Sequence, residues 1–582
     1  MKLGPGFVSL ALASSAALVA ADGQGAYLWD PPVDNEANVY ARVIELQHSG
    51  NASVDGTLLA TWEHWYTTGD DSTVANGTAG SFILRQSADG GATWSTLTTI
   101  TDTDTGPGHP FAQFWQPFLF EFPIALGGYP AGTLLLVGNL VPANKTITNF
   151  YTWRSTDHGQ TWDRVGGAWQ QGGAPGAGIW EAFLYLDSQD RLVAVFSDER
   201  DNTTHSQMLV HVVSHDGGET WGDVVRDVAS TAQTDRPGMA SVARMDNGQY
   251  AMSYEVCGRP NCPIHVKTSA DGVTWNAADL GTAVVTEDAL YAGSSPYTVW
   301  DPSTSQLVLA SHAVWDLATD TQAAEFHRAV FTNNKHGTGA WSWSPAPWYV
   351  SNASAICNSN YSPHLLPSHT AAKGIRYTAP SSEGSIGLCS ERTAAAPVGV
   401  LPYRADFAAN GQLGWIDFGG NWTVDGDAYS VGTAVGNIDA RAATGSSGWT
   451  DYTVSTDAMI VGAAGGVMGL TARITAPMNG LNAFKGYTAA INSFTGNLTV
   501  SREAHAMVVL GSSAHPGGIL SDTWYHLSLA VKGYDLTASL TSAAGSSDVT
   551  YTVVDNSFPR GMAGLLVNDG AGSFQNVEIV EA

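Results

Sequence analysis

Four near-copies of one phrase recur in the first half of the chain: SADGGATW from Ser87, STDHGQTW from Ser155, SHDGGETW from Ser214 and the shorter SADGVTW from Ser269. Their starts lie 68, 59 and 55 residues apart. A turn-sized unit returning at that period cannot bury its own apolar face, so successive units must cover one another, and a β-propeller is the expected result. Each residue type in the phrase has a mechanical use. Asp and Gly suit a tight turn between two strands, the Thr starts the next strand, and the Trp fills the gap between adjacent sheets. The phrase therefore predicts scaffold, and the site has to be sought elsewhere.

The 582 residues are too many for one ordinary domain and suit a propeller with an appendage. With 64 Gly, 20 Trp and only 13% charged residues, the composition is that of a turn-dense, all-β chain. We expect a six-bladed propeller over residues 22–395, a small-residue linker over 393–399, and a β-sandwich of jelly-roll type over 401–582, where the repeat disappears. The phrases FGGNWTVDGDAYSV, GWTDYTVSTDAMI, DTWYHLSLAVKG and GMAGLLVNDGAGSFQNVEIV carry that second texture. They resemble the concanavalin-like modules that accompany many glycosidases, for which sugar binding and simple packing are both open.

The net charge of -28 argues against nucleic acid and anionic membranes as partners. Residues 1–21 read as a secretory signal: Lys2, an apolar run over 7–19 too short to span a bilayer, then small residues for cleavage. Eight Asn-x-Ser/Thr sequons, at Asn51, Asn76, Asn144, Asn202, Asn352, Asn360, Asn421 and Asn497, agree with a secreted glycoprotein. In an oxidising compartment, proximity pairs Cys257 with Cys262 and Cys357 with Cys389. There is no Cys-x-x-Cys, so metal ligation is not expected, and nothing calls for a cofactor.

In a propeller the innermost strands line a central funnel. A carboxylate in an apolar strand there needs a partner or a purpose. Glu181 in GIWEAFL and Glu255 in YAMSYEVC each follow an aromatic residue. Two such groups suit glycoside hydrolysis, which uses a pair of carboxyls. Arg42, Arg236 and Arg200 with Asp198 are candidate supports that pair with carboxylates or bind sugar hydroxyls. Tyr361, in SNYSP, is a further candidate. For each of these an ordinary ion pair or packing contact is the competing reading.

At these residues the chain resembles glycoside hydrolase family 93, the secreted exo-1,5-α-L-arabinanases on six-bladed propellers. The likeness runs through VYARVIEL, GTLLATWE, WQPFLFEF, GGYPAGTLL, GIWEAFL, FSDER, TDRPGMASVARMDNGQYAMSYE and GSSPYTVW. The repeats resemble the Asp-boxes of sialidases. The resemblance implies a retaining exo-hydrolase releasing arabinobiose from α-1,5-arabinan, with Glu181 and Glu255 as its two carboxyls, about 5–6 Å apart. Glu181 is the expected nucleophile and Glu255 the expected acid/base, though the sequence does not separate the two roles. CGRPNC after Glu255 departs from the family pattern and bears on the substrate. Two alternatives stand beside this reading. One is a sialidase or uronate-directed lyase using Arg42, Arg236 and Arg376 with Tyr361 and Glu255. The other is a lectin-like binder. The expected partner is a polysaccharide, acted on by a monomer.

Overall fold

The computed structural model describes residues 24–31, 36–66, 80–104, 109, 111–352, 357–368, 374–382, 389–434, 439–542 and 549–582. The signal segment and Asn76 lie outside these residues. No helix among them is long and apolar enough to cross a membrane.

Six antiparallel sheets form the propeller, and their first strands contact one another in a closed cycle. These inner strands are Glu36–Glu45, Gln113–Glu121, Ile179–Leu186, Arg236–Arg244, Tyr297–Asp301 and His364–Pro367, in blades 1 to 6. Blade 6 is completed by the N-terminal strand Ala26–Trp29, which pairs with Ser390–Ala396 and closes the ring. The expected linker therefore starts too early, because residues 393–396 belong to this last propeller strand. One small sheet was not foreseen. Leu290–Gly293 leads into blade 5, and Ala313–Asp316 with Thr321–Gln322 lies inside it; together they make a three-stranded insert.

Each repeat closes the turn after the third strand of its blade. In the first, Asp89 accepts from the Thr93 backbone N–H (2.9 Å) and hydroxyl (2.5 Å), Ser87 Oγ accepts from the Gly91 N–H (2.8 Å), and the Trp94 indole donates to the Gly91 carbonyl (3.1 Å). Blade 5 holds a fifth, degenerate copy. Asn333 Oδ1 takes the place of the serine hydroxyl and accepts from the Lys335 and Gly337 N–H groups (2.8 and 3.0 Å). Because a first and a third strand run the same way, these turns gather on the face where the inner strands end. The funnel opens on the other face, where the inner strands begin.

Residues 403–581 form two facing antiparallel sheets of seven and eight strands, the expected sandwich. Its seven-stranded sheet packs on blade 5. Trp341 and Trp343 share one buried cluster with Ile416, Phe418, Ala443, Ile474, Phe484 and Met562. Backbone bonds lock the seam: Trp343 N–H donates to Ser447 Oγ (2.9 Å) and Ser447 N–H to the Trp343 carbonyl (2.8 Å).

Both expected disulfides are present, Cys257–Cys262 and Cys357–Cys389. Asn51, Asn144, Asn352 and Asn421 are exposed, as an acceptor must be. Asn360 corrects the sequon expectation. It is 1% exposed, its Nδ2 donates to the Ser311 and His312 carbonyls, and its Oδ1 accepts from the Tyr377 hydroxyl, so no glycan fits there.

Trp343 fills the seam, is fully buried and donates to Asp288 (2.9 Å). Trp343→Ala is expected to cost about 3–5 kcal/mol and to split thermal unfolding into separate propeller and sandwich transitions. Differential scanning calorimetry reads both effects.

Candidate active site

The inner strands share an irregularity that builds the funnel. Tyr40, Gln116, Glu181, Met239, Ser295 and Ser362 all have φ between 48° and 62°, one residue per blade. Each is followed by Ala or Pro, namely Ala41, Pro117, Ala182, Ala240, Pro296 and Pro363. In blades 1 to 4 the register of the inner strand shifts at this point, as at a β-bulge. A left-handed residue there turns its side chain out of the sheet alternation and into the funnel. Two residues on from ring positions, Arg42, Phe118, Phe183 and Tyr297 line a cavity of only about 10 Å³ beside Tyr40, Glu181 and Met239.

A bulge also frees a backbone N–H, and the preceding blade supplies its acceptor. Gln116 N–H donates to Glu63 Oε2 (2.8 Å), Met239 N–H to Ser197 Oγ (3.2 Å) and Ser295 N–H to Glu255 Oε2 (2.7 Å). Glu255 therefore sits on the second strand of blade 4, across from Gly238. Glu181 is itself a ring residue of blade 3, and its N–H goes to Gln116 Oε1 (3.1 Å).

The two glutamates stand in different surroundings. Glu181 Oε1 accepts a long bond from Gln116 Nε2 (3.2 Å), and its Oε2 is buried with no hydrogen-bond partner. Burial pushes its carboxyl up to about 8; Ser197 opposes this, while the charges of Glu255, Glu199 and Glu63 add to it. Burial also raises Glu255, but here the Ser295 N–H, the Ser294 hydroxyl (3.0 Å) and Arg236 all pull the other way. Burial holds the Tyr361 phenol protonated, and the charges of Glu181 and Glu255 reinforce this, so the three groups lie within electrostatic reach of one another.

Of the other expected residues, Arg236 stands at the rim, bonded to Glu199 Oε1 (2.5 Å) and Gln207 Oε1 (2.6 Å), with Glu199 anchored by the Gly176 and Gly178 N–H groups. The supporting role expected of Asp198 and Arg200 is corrected. Alternation sends Ser197 toward blade 4 and Asp198 the opposite way. There Asp198 and Arg200 pair with each other at 2.6–2.8 Å, and Arg200 reaches Gln170 in blade 2. Arg42 is corrected too. It lies in the floor, stacked on Tyr40 (3.9 Å) and bonded to the Ala41 and Ser362 carbonyls and Ser362 Oγ. Arg376 sits on the far face with Gly90 and Thr393, so Arg42, Arg236 and Arg376 form no cluster.

Two contributors escaped the sequence reading. Glu63, in Trp62-Glu63, carries the same aromatic–Glu signature as Glu181 and Glu255, is buried, and bears electrostatically on Glu181. Gln116 binds Glu181 through both its side-chain nitrogen and its oxygen. A larger cavity, about 610 Å³, lies elsewhere, on the turn-bearing face between blades 1 and 6, lined by Tyr27, Glu45, Asp89 and Arg376. It is lined by neither Glu181 nor Glu255. One group of metal-ligating type occurs among the described residues, Asp102, Asp104 and His109, away from the funnel. Its members are bonded to one another and to Arg164 and Phe111.

No protein-family model and no curated protein sequence matches the chain. Solved structures do. The GH93 α-L-arabinofuranosidase of Fusarium graminearum, solved in complex with arabinobiose, is 28% identical with a TM-score of 0.52, covering 64% of this chain and 97% of that one. The α-L-arabinanase of Penicillium chrysogenum, also complexed with arabinobiose, is 28% identical with the same score, covering 64% and 98%. The propeller thus has a GH93-like fold, and its neighbours are glycoside hydrolases.

If Arg42 is floor rather than ligand, Arg42→Met should destabilise the protein by about 1–3 kcal/mol, since it leaves the buried Ser362 hydroxyl and carbonyl without their donor. Chemical denaturation measures this. A purely substrate-binding arginine would leave stability unchanged.

Proposed function

We propose that the chain is a secreted, retaining, exo-acting glycoside hydrolase that releases arabinobiose from α-1,5-L-arabinan. The observation that carries the reading is the pair Glu181 and Glu255, electrostatically coupled and set in unlike environments on a propeller similar to arabinanases. Environments that push two carboxyls apart assign them opposite roles. Glu181, with an unpartnered oxygen and a carboxyl raised to about 8, holds a proton at neutral pH and suits the general acid. Glu255, with two donors on one oxygen and Arg236 nearby, suits the ionised nucleophile. These roles are the reverse of those expected from the sequence.

The cycle then balances. Glu255 attacks the anomeric carbon while Glu181 gives its proton to the leaving oxygen, forming a glycosyl ester. Glu181, now a carboxylate, takes a proton from water, the water oxygen displaces Glu255, and both groups return to their starting states. Retention requires the two carboxyls about 5–5.5 Å apart. Tyr361, held protonated within electrostatic reach of both, is a candidate donor to the oxygen that carries charge. Trp115 and Trp180, 6.1 Å apart at the mouth, offer apolar surface to a sugar. The dispersal of Arg42, Arg236 and Arg376 counts against a sialidase-type carboxylate site. Paired carboxyls without a cationic ligand to bind count against a lectin. Two disulfides and the sequence signal support export.

Glu181→Gln and Glu255→Gln should each cost orders of magnitude in turnover on linear arabinan while the protein stays folded. Near-full activity in either removes the reading. Azide added to Glu181→Ala should yield a glycosyl azide of the substrate's anomeric configuration, and added to Glu255→Ala the inverted one. The opposite result swaps the roles.

The pH profile follows from the two environments. Activity needs Glu181 protonated, so it is present below about 8 and lost as pH rises through that value. It also needs Glu255 ionised, and because burial lifts that group, the acid limb lies above the ordinary glutamate value of 4.5. A bell-shaped kcat/KM with these limbs is expected.

A further inference from the structure

We propose that the Cys257–Cys262 loop and the three-stranded insert form one clasp that positions Glu255, with Ser294 as the intermediary. The inference rests on the reading of Glu255 as a proposed catalytic carboxyl. Glu255 lies two residues before Cys257, at the end of the strand Tyr250–Cys257. The disulfide folds the chain back, so that the Cys262 carbonyl accepts from the Ser294 N–H (2.8 Å) and Pro263 bridges to Gly293 of the insert. Ser294 Oγ and the Ser295 N–H then converge on the same oxygen of Glu255, at 3.0 and 2.7 Å.

The tip of the loop is tied to the insert as well. Asn261 Nδ2 donates to the Tyr291 hydroxyl (2.8 Å) and to Asp320 Oδ1 (2.7 Å), and the Tyr291 hydroxyl donates to the same aspartate oxygen (2.5 Å). His312 N–H, from the insert side, caps the Ser294 carbonyl (2.9 Å).

Backbone geometry makes the clasp necessary. Ser294 and Ser295 both have left-handed φ, 60° and 48°. Neither is glycine, and such residues persist only where their surroundings over-determine them. Here the Ser294 N–H is taken by the Cys262 carbonyl, and the Ser295 N–H and Ser294 hydroxyl are left to turn to Glu255. Holding the Ser294 N–H and carbonyl from opposite sides fixes those two donors against Glu255.

The groups that face Glu255 come from four blades: Arg236 from blade 4, Glu181 from blade 3, Tyr361 from the lead into blade 6, and the two serines from the lead into blade 5. If the clasp loosens, the serine donors are lost while Glu181 and the apolar surroundings remain. Glu255 then holds its proton to higher pH, and the acid limb of the profile moves up.

The test is kcat/KM against pH on linear arabinan for the wild type, Cys257→Ser/Cys262→Ser, Ser294→Ala and the triple variant. The double variant and Ser294→Ala should each raise the acid limb by about one unit, a roughly tenfold loss on that limb, with little change at the plateau. The triple variant should move it no further than the double variant alone, because the loosened clasp has already released the Ser294 hydroxyl. An acid limb unmoved in the double variant, or shifts that add in the triple, overturns the clasp. Should the double variant fail to fold, Asn261→Ala loosens the same clasp with the cysteines intact, and its limb decides the matter in the same way. Glu255→Gln separates the two ideas. If it stays active, the catalytic reading fails; if it is dead while the limb of the clasp variants stays put, the clasp alone fails.

Discussion

The left-handed residue at one level of all six inner strands is the constraint from which the site follows. It costs the strands of blades 1 to 4 a regular pairing, and in every blade about 1–3 kcal/mol of backbone strain for a non-glycine residue. In return, six side chains leave the pleat and point down one funnel. The N–H that each bulge frees must find an acceptor inside the protein, and in four blades it finds a polar side chain of the blade before: Glu63, Gln116, Ser197 or Glu255. The stitching that holds neighbouring blades together and the placing of a reactive carboxyl are thus one interaction. Glu255 is a blade-to-blade acceptor that also faces Glu181.

The contrast between the two glutamates follows from where each stands in that pattern. As an acceptor, Glu255 is anchored by donors to its carboxylate form. As a ring residue, Glu181 presents its side chain to the funnel and uses its backbone for the stitch, so the carboxyl is left with one long bond and one bare oxygen. Burying an unpaired carboxylate is costly enough that holding a proton is the cheaper state. The fold gives one residue type two unlike environments.

Much of this was legible in the sequence, and what was not has physical reasons. Repeats at a steady period announced the propeller, because a turn motif uses the same residues wherever it recurs. The ring of bulges was hidden because its members are Tyr, Gln, Glu, Met and two Ser, sharing only the small or cyclic residue that follows. The aromatic–Glu signature found Glu181 and Glu255 but applied equally to Glu63, which stitches blades and only tunes its neighbour. Arg42, Asp198 and Arg200 were credited with substrate contacts because a sequence does not say which side of a sheet a residue faces. The insert was missed because its strands are two to four residues long.

The ring is closed by the chain's own beginning. Gly25 and Arg392, bonded to each other across that closure, are 367 residues apart in sequence. On a ribosome adding roughly 5–20 residues per second, the strand Ala26–Trp29 waits about twenty to seventy seconds before its partner exists. Blades 1 to 5 can therefore stack while blade 6 is still an unsealed gap, and an exposed sheet edge invites pairing with another chain. At four residues, the waiting strand is too short to offer much of a template. The length of time the ring stands open is set by translation, and that of the strand that seals it by the risk of sealing to the wrong molecule.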